Sequence, residues 1–171
     1  MGTSQQLQLS RNGHQIVFRA EGRCSAKLAE AISHFIQLAP TGADDNLYFD
    51  LARCDALEST FAGLLVNLVK RANSRVGPSI HLLTPSEPIM TSLRQMGLAK
   101  MLDVSQALPV AAEQWKALPV DDVNPDELAD LIIEAHEALI SADPRNETAY
   151  RKVVACFKAA KDATSPPADH N

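Results

Sequence analysis

Apolar residues change from an alternating to a helical spacing three times before residue 100, and this pattern limits the fold more than any single motif. The first alternating segments, 7–9 and 16–18, flank Asn12-Gly13, a dipeptide typical of a two-residue β-hairpin. Two antiparallel strands are therefore predicted at the start of the chain.

Helical and strand-like segments then follow one another. Ser25 is a plausible N-cap for the first helix, and Gly97 suits the end of the third. Strands separated by helices form βαβ units, in which the strands are parallel and the crossovers right-handed. We predict the α/β class, with a mixed sheet (an N-terminal hairpin, then βαβ units) and helices packed on it. The predicted elements are a helix over 25–38, a strand over 46–52, a helix with apolar positions from 61 to 69, a strand over 79–84, a helix over 86–97 and a short final helix over 109–116.

The composition changes at "LPVDDVNPDE", where prolines and acids interrupt the apolar pattern. We predict a first unit over 1–117, a linker over 118–124, a helical hairpin over 125–163 and a disordered tail over 164–171. Asn124 before Pro125 is typical of a helix start. The hairpin leaves an apolar edge that either the α/β unit or a partner must cover.

Charge and cysteine usage narrow the class of protein. A net charge of −5 argues against nucleic acid, which requires clustered basic residues. No apolar run approaches the roughly 20 residues of a membrane span, and the first residues lack a signal-peptide pattern. Cys24, Cys54 and Cys156 have no disulfide or zinc spacing. We expect a cytoplasmic protein with no membrane insertion, whose partner is a protein or a small ligand.

Motifs for catalysis are missing from the sequence. There is no phosphate-binding loop and no dinucleotide fingerprint. "HEALI" begins like a zinc-protease motif, but Ile140 replaces the second histidine, so we predict that His136 is a half-exposed helical residue. No histidine has a serine or cysteine beside it in a recognisable nucleophile motif. We therefore predict a non-enzymatic protein with no catalytic residue, metal or cofactor.

Residues 47–104 carry a recognisable order of motifs. Asp50-Leu51 ends a strand, Ser59-Thr60 opens a helix, Lys70-Arg71 ends that helix, and Gly97-Leu98 follows the next strand and helix. This order resembles the STAS domain of bacterial anti-sigma-factor antagonists. With the N-terminal hairpin, the resemblance covers about 1–116 and leaves the helical hairpin unassigned. Glu58 stands where the family usually has Asp, and Phe61 where it usually has Gly.

The resemblance implies a phosphorylation switch at Ser59, rather than at Thr60. The partners it implies are an anti-sigma factor that is itself a serine kinase and a phosphatase that resets the switch. The unphosphorylated protein would bind the kinase, and the phosphorylated protein would release it. The predicted partner-binding residues are Asp55, Glu58, Ser59, Thr60, Phe61 and Ser86.

Several alternatives remain open from the sequence. Ser59 is either a phosphorylated residue or only the N-cap of its helix. Phe61 either joins the core or anchors a partner. The protein itself is a phosphorylated antagonist, a constitutive STAS scaffold or accessory subunit of a signalling or transport complex, or a small-ligand sensor. The oligomeric state is not indicated.

Overall fold

The computed structural model describes residues 4–166 and contains a six-stranded sheet and five helices. The strands are β1 (Gln6–Asn12), β2 (Gln15–Cys24), β3 (Asn46–Leu57), β4 (Ser79–Leu83), β5 (Asp103–Ser105) and β6 (Lys116–Ala117). The helices are α1 (Ala26–Leu38), α2 (Ser59–Asn73), α3 (Glu87–Gln95), α4 (Pro125–Ala142) and α5 (Asn146–Thr164).

The sheet is mixed, with the strand order β5-β4-β3-β2-β1-β6. Strands β2, β3, β4 and β5 are parallel to one another, whereas β1 is antiparallel to both β2 and β6. Gly13, with a φ of 57°, turns the chain between β1 and β2. The prediction of an α/β fold with a mixed sheet, an N-terminal hairpin, βαβ units and a C-terminal αα-hairpin is confirmed.

Three phenylalanines join the centre of the sheet to α2. The Phe18 and Phe49 rings stack with their centroids 5.4 Å apart, because the two residues pair across β2 and β3. Phe61 of α2 meets Phe49 edge-on at 6.4 Å and is fully buried. Offset and edge-on contacts of this kind stabilise a core beyond the area that they bury. They also fix the rotation of α2 about its axis.

Local hydrogen bonds mark the start of α1 and the end of α3. The Ser25 side chain accepts a hydrogen bond from the Leu28 amide, as predicted for an N-cap. Gly97 has a φ of 72°, and the amides of Gly97 and Leu98 donate to the carbonyls of Arg94 and Leu93. These two bonds form the Schellman motif, which a glycine after the cap residue favours.

The predicted helix over 109–116 is wrong, since this segment is irregular, with a φ of 54° at Gln114, and leads into β6. Side chains from the first two strands hold it in that conformation. Gln15 bonds both the amide and the carbonyl of Val110, and Ser10 donates to the Glu113 carbonyl. The Arg19 guanidinium lies 3.9 Å from the Trp115 ring centroid.

Helix α4 packs directly on α2, so the α/β part of the chain covers the apolar edge of the helical hairpin. Leu131, Ala138 and Leu139 of α4 belong to the same hydrophobic cluster as the core of the sheet. At Gly63 the α2 backbone lies so close to Ala135 that an added Cβ would overlap the Ala135 carbonyl. The division into units over 1–117 and 125–163 remains a prediction.

The α4–α5 joint is attached to the end of α3. Asn146 is buried, and its side-chain amide donates to the carbonyls of Met96, at 3.0 Å, and Leu139, at 2.8 Å. Asn124 caps α4 by accepting from the amides of Asp126 and Glu127, as predicted. The hairpin is therefore held at its base and along its length.

The hairpin ends one residue later than predicted, because α5 extends to Thr164. Residues 167–171 of the predicted disordered tail lie outside the described residues. Within 4–166, no helix combines the length and the apolar character needed to cross a bilayer.

The first turn of α4 lies near α1. Glu30 of α1 is 6% exposed, although it is an acid. Burial raises the pKa of its carboxyl group, and the neighbouring acids Glu127 and Asp122 raise it further, whereas His34 lowers it.

Replacing Gly63 with alanine tests the close contact between α2 and α4. Alanine is the better helix former by about 1 kcal/mol, so an unconstrained Gly63→Ala would stabilise α2. We expect the opposite, a loss of about 1–3 kcal/mol in urea unfolding, because the new methyl group overlaps the Ala135 backbone. Gly42→Ala is the control, since its Cβ has nothing within 4 Å. A stabilised Gly63→Ala protein would show that the α4 backbone does not pack against α2 at Gly63.

Candidate functional site

Three loops meet at the edge of the sheet where β2, β3 and β4 end, which is the edge where open α/β sheets gather functional residues. The Glu58 carboxylate accepts a hydrogen bond from the Ala26 amide, at 3.0 Å, and so links the β3–α2 loop to the start of α1. The Ser86 hydroxyl donates to the Cys54 carbonyl at 2.6 Å and links the β4–α3 loop to β3. The three loops form one connected surface.

Ser59 is the first residue of α2 and not its N-cap, so the interpretation of Ser59 as the cap is wrong. Glu58 occupies the cap position with an extended backbone, and its side chain makes no capping bond to α2. Its carboxylate instead accepts the hydrogen bond from the Ala26 amide of α1, and its Oε1 lies 3.6 Å from Nη1 of Arg23. The first amides of α2 therefore receive no side-chain cap from Glu58.

The Ser59 hydroxyl is bonded to a histidine from the helical hairpin. Ser59 Oγ lies 2.8 Å from Nε2 of His136, and Nδ1 of His136 lies 2.6 Å from the Ile132 carbonyl oxygen. A carbonyl can only accept, so Nδ1 carries the proton and Nε2 accepts from Ser59. The His136 side chain bridges α4 to the start of α2.

His136 is 4% exposed, which corrects the prediction of a half-exposed residue. It faces α2 from the buried side of α4, and the Tyr150 ring of α5 packs against it with centroids 5.1 Å apart. Burial raises the pKa of Tyr150. Both helices of the hairpin thus contribute to the surroundings of Ser59.

The predicted partner-binding residues divide into two groups. Asp55 is exposed, and Glu58, Ser59 and Ser86 are half-buried at the loop edge. Thr60 is 5% exposed, and Phe61 is fully buried in the core cluster. Neither side chain is accessible to a partner while α4 is docked, and their role in partner binding stays a prediction.

Two of the three cysteines lie beneath the same loops. Cys24 and Cys54 are buried free thiols with their sulfur atoms 3.0 Å apart, whereas Cys156 is exposed on α5. Cys54 also points toward the Ala20 carbonyl. The hydrogen bond with Cys54, together with burial, raises the pKa of Cys24, which suppresses its thiolate form.

The Ser59–His136 pair has the hydrogen bond that activates a nucleophilic serine, and Ser59 also stands at a helix start. A cavity of about 520 Å³ opens between α1, α2 and α4, but it is lined by residues farther along the helices, including Leu64, Asn67 and Leu131. Neither Ser59 nor His136 lines it. The arrangement holds a serine in place, and this cavity lies farther along the helices from it.

His136 and Tyr150 are the site residues that sequence reasoning missed. The sequence carries a partial signal for His136, which lies four residues after Ile132 and three before Leu139 on the apolar stripe of α4. That spacing indicates burial. It gives no indication that the partner is Ser59, 77 positions earlier.

No family model matches this sequence, and no curated protein matches it significantly. The structure is similar to the solved structure of the anti-sigma factor antagonist SpoIIAA in its unphosphorylated form, with 20% sequence identity and a TM-score of 0.48. The similarity covers 58% of this chain and 88% of that chain.

Removing the Ser59 hydroxyl tests its bond to His136. We expect Ser59→Ala to lower the free energy of unfolding by about 1–3 kcal/mol, because a buried acceptor, Nε2, loses its donor. Thr148→Ala is the matched control, since Thr148 is exposed on α5 and its replacement also favours a helix. Equal stabilities for the two variants in urea unfolding would show that the bond contributes nothing.

Proposed function

We propose that the chain is a non-enzymatic regulatory module of the anti-sigma-factor-antagonist type, switched by phosphorylation of Ser59. The observation that carries the proposal is the position of Ser59 at the first residue of α2, on the edge where three loops meet. The order of motifs over 47–104, which resembles the STAS domain, supports the same function.

The proposed partners are an anti-sigma factor of the serine-kinase type and a cognate phosphatase. Both act in the cytoplasm, which we infer to be the location of this protein. A phosphate on Ser59 adds about −1.5 to −2 charges close to Glu58 and Asp55. A partner surface fitted to a neutral hydroxyl would then meet added bulk and concentrated negative charge. A hundredfold loss of affinity requires only about 2.7 kcal/mol.

In the proposed mechanism, the docked hairpin is the closed state of the switch. Ser59 Oγ donates to His136 Nε2 over 2.8 Å, so the space that a phosphate would need is occupied by an imidazole. The kinase therefore reaches Ser59 only after α4 moves away from the start of α2. Once the hairpin has moved, the free amides of α2 favour a phosphate at this position.

A constitutive STAS scaffold is the second candidate function. It is favoured by the bond that engages the Ser59 hydroxyl and by the burial of Thr60 and Phe61 beside it. In that case Ser59 attaches the hairpin to α2 and is never modified. The two functions differ in whether position 59 becomes accessible and in whether a charge there changes partner binding.

Partner binding separates the two functions. We expect Ser59→Asp to weaken binding to a candidate kinase-type anti-sigma factor by one to two orders of magnitude, or roughly 1.4–2.7 kcal/mol, in isothermal titration calorimetry. Ser59→Ala should bind but incorporate no phosphate when incubated with the kinase and ATP. Thr148→Asp, which adds the same charge on α5, is the control. Phosphate on another residue, with unchanged affinity in Ser59→Asp, would favour the scaffold.

Accessibility of position 59 can be measured without knowing the partner. Ser59→Cys is prepared in a Cys156→Ser chain, where the other thiols, Cys24 and Cys54, are buried. We expect slow maleimide labelling, which becomes at least tenfold faster when Gly63→Ala displaces α4. Labelling of Cys156 in the otherwise native chain, with and without Gly63→Ala, is the control. Fast labelling in the presence of Gly63 would rule out a closed state.

A further inference from the structure

A cluster of metal-ligating side chains lies where α1 meets the start of α4, away from Ser59. Glu30 and His34 are one helical turn apart on α1, and Glu127 is in the first turn of α4. One ligand atom from each of the three residues lies within 4.8 Å of the other two. Two helices that are nearly 100 positions apart in sequence thus direct three potential ligands toward one point.

Glu30 is the member of this cluster that most needs a positive partner. It is 94% buried, and a buried carboxylate is costly unless it is paired or protonated. Among residues 4–166 no Lys or Arg side chain forms an ion pair with Glu30. Lys27 and Lys161 pair with Asp121 and Asp130 instead.

Further acidic side chains and two cavities lie next to the cluster. Asp122, Asp130 and Glu134 line the adjoining cavities, which measure about 190 and 380 Å³. His34 Nδ1 lies 3.7 Å from Glu127 Oε2, and both side chains are about half exposed. These two residues can close on an ion by small side-chain rotations, and the cavities have room for water ligands.

We propose that Glu30, His34 and Glu127 bind a divalent transition-metal cation, for which zinc is the test ion. One imidazole and two carboxylates suit zinc and its neighbours, whereas calcium and magnesium prefer sets of oxygen ligands. Ligands about 2.1 Å from a tetrahedral ion are roughly 3.4 Å apart, so the cluster must contract by about an ångström. The fourth position is taken by water.

The bound ion ties the first turn of α4 to α1. Glu127 belongs to the hairpin, whereas Glu30 and His34 belong to the α/β part of the chain. The ion therefore stabilises the docked hairpin against the open form. This effect on docking does not depend on any role of Ser59.

Zinc titration of the full, chelator-treated chain tests the proposal. We expect one zinc ion per chain by isothermal titration calorimetry, with the affinity at least tenfold lower in both His34→Ala and Glu30→Gln. Glu134→Gln is the control for nonspecific electrostatic attraction of the cation, because Glu134 lines the same cavity but is not one of the three proposed ligands. It should bind within twofold of the unmodified chain, and so should His14→Ala.

Cobalt provides a direct signal of coordination. The chain should give a visible absorption band with Co²⁺ that is absent in His34→Ala, a change at a half-exposed residue that leaves the fold intact. Zinc should also raise the Tm of the unmodified chain but not of Glu30→Gln, and slow hydrogen exchange of α4 amides.

Three results would overturn the proposal: no stoichiometric zinc binding, equal weakening by Glu134→Gln, or displacement of zinc by millimolar Mg²⁺. A Glu30→Gln chain that is more stable in chelator, together with no effect of zinc on the unmodified chain, would identify Glu30 as a protonated acid bonded to Glu127. If zinc binds but does not slow hydrogen exchange of the α4 amides, the ion does not stabilise docking of the hairpin.

Discussion

The contact between the α2 and α4 backbones at Gly63 determines the position of the whole C-terminal hairpin. Any side chain at Gly63 would overlap the Ala135 carbonyl, so only glycine allows the two backbones to approach this closely. His136 is the next residue along α4, and this contact brings its ring to the start of α2. The same docking brings the first turn of α4 to α1. The glycine at position 63 thus allows α4 to reach both the loop edge near Ser59 and the junction with α1.

Much of the fold could be predicted because its signals are local. The Asn12-Gly13 turn, the Ser25 and Asn124 caps and the glycine after α3 each depend on bonds within a few residues. The segment over 109–116 could not be predicted in this way. Its irregular form depends on side chains of β1 and β2 about 100 positions earlier, whose hydrogen bonds engage backbone groups that a helix would need.

The candidate site was predicted less completely than the fold for a related reason. Sequence patterns identified the start of α2 to within one residue, but Glu58 rather than Ser59 is the cap residue, and its carboxylate serves α1. Helical spacing favoured Phe61 as a core residue, and it is buried. The bond from Ser59 to His136 joins the two predicted units, and no local pattern encodes a contact between helices 77 positions apart.

Under the proposed switch Ser59 is both held by His136 and phosphorylated, and this limits how firmly the hairpin can be docked. If opening the hairpin costs about 4 kcal/mol, only about one molecule in a thousand is open, and the apparent affinity of a partner that needs the open form falls by the same factor. A partner can offset this cost only by binding surface that α4 covers in the closed form. The apolar residues of α2 beneath α4, such as Leu64, are such a surface. A kinase that recognised only the exposed loop edge, with Asp55 and Ser86, would gain nothing from opening. The proposed switch therefore requires a kinase whose contacts extend along α2.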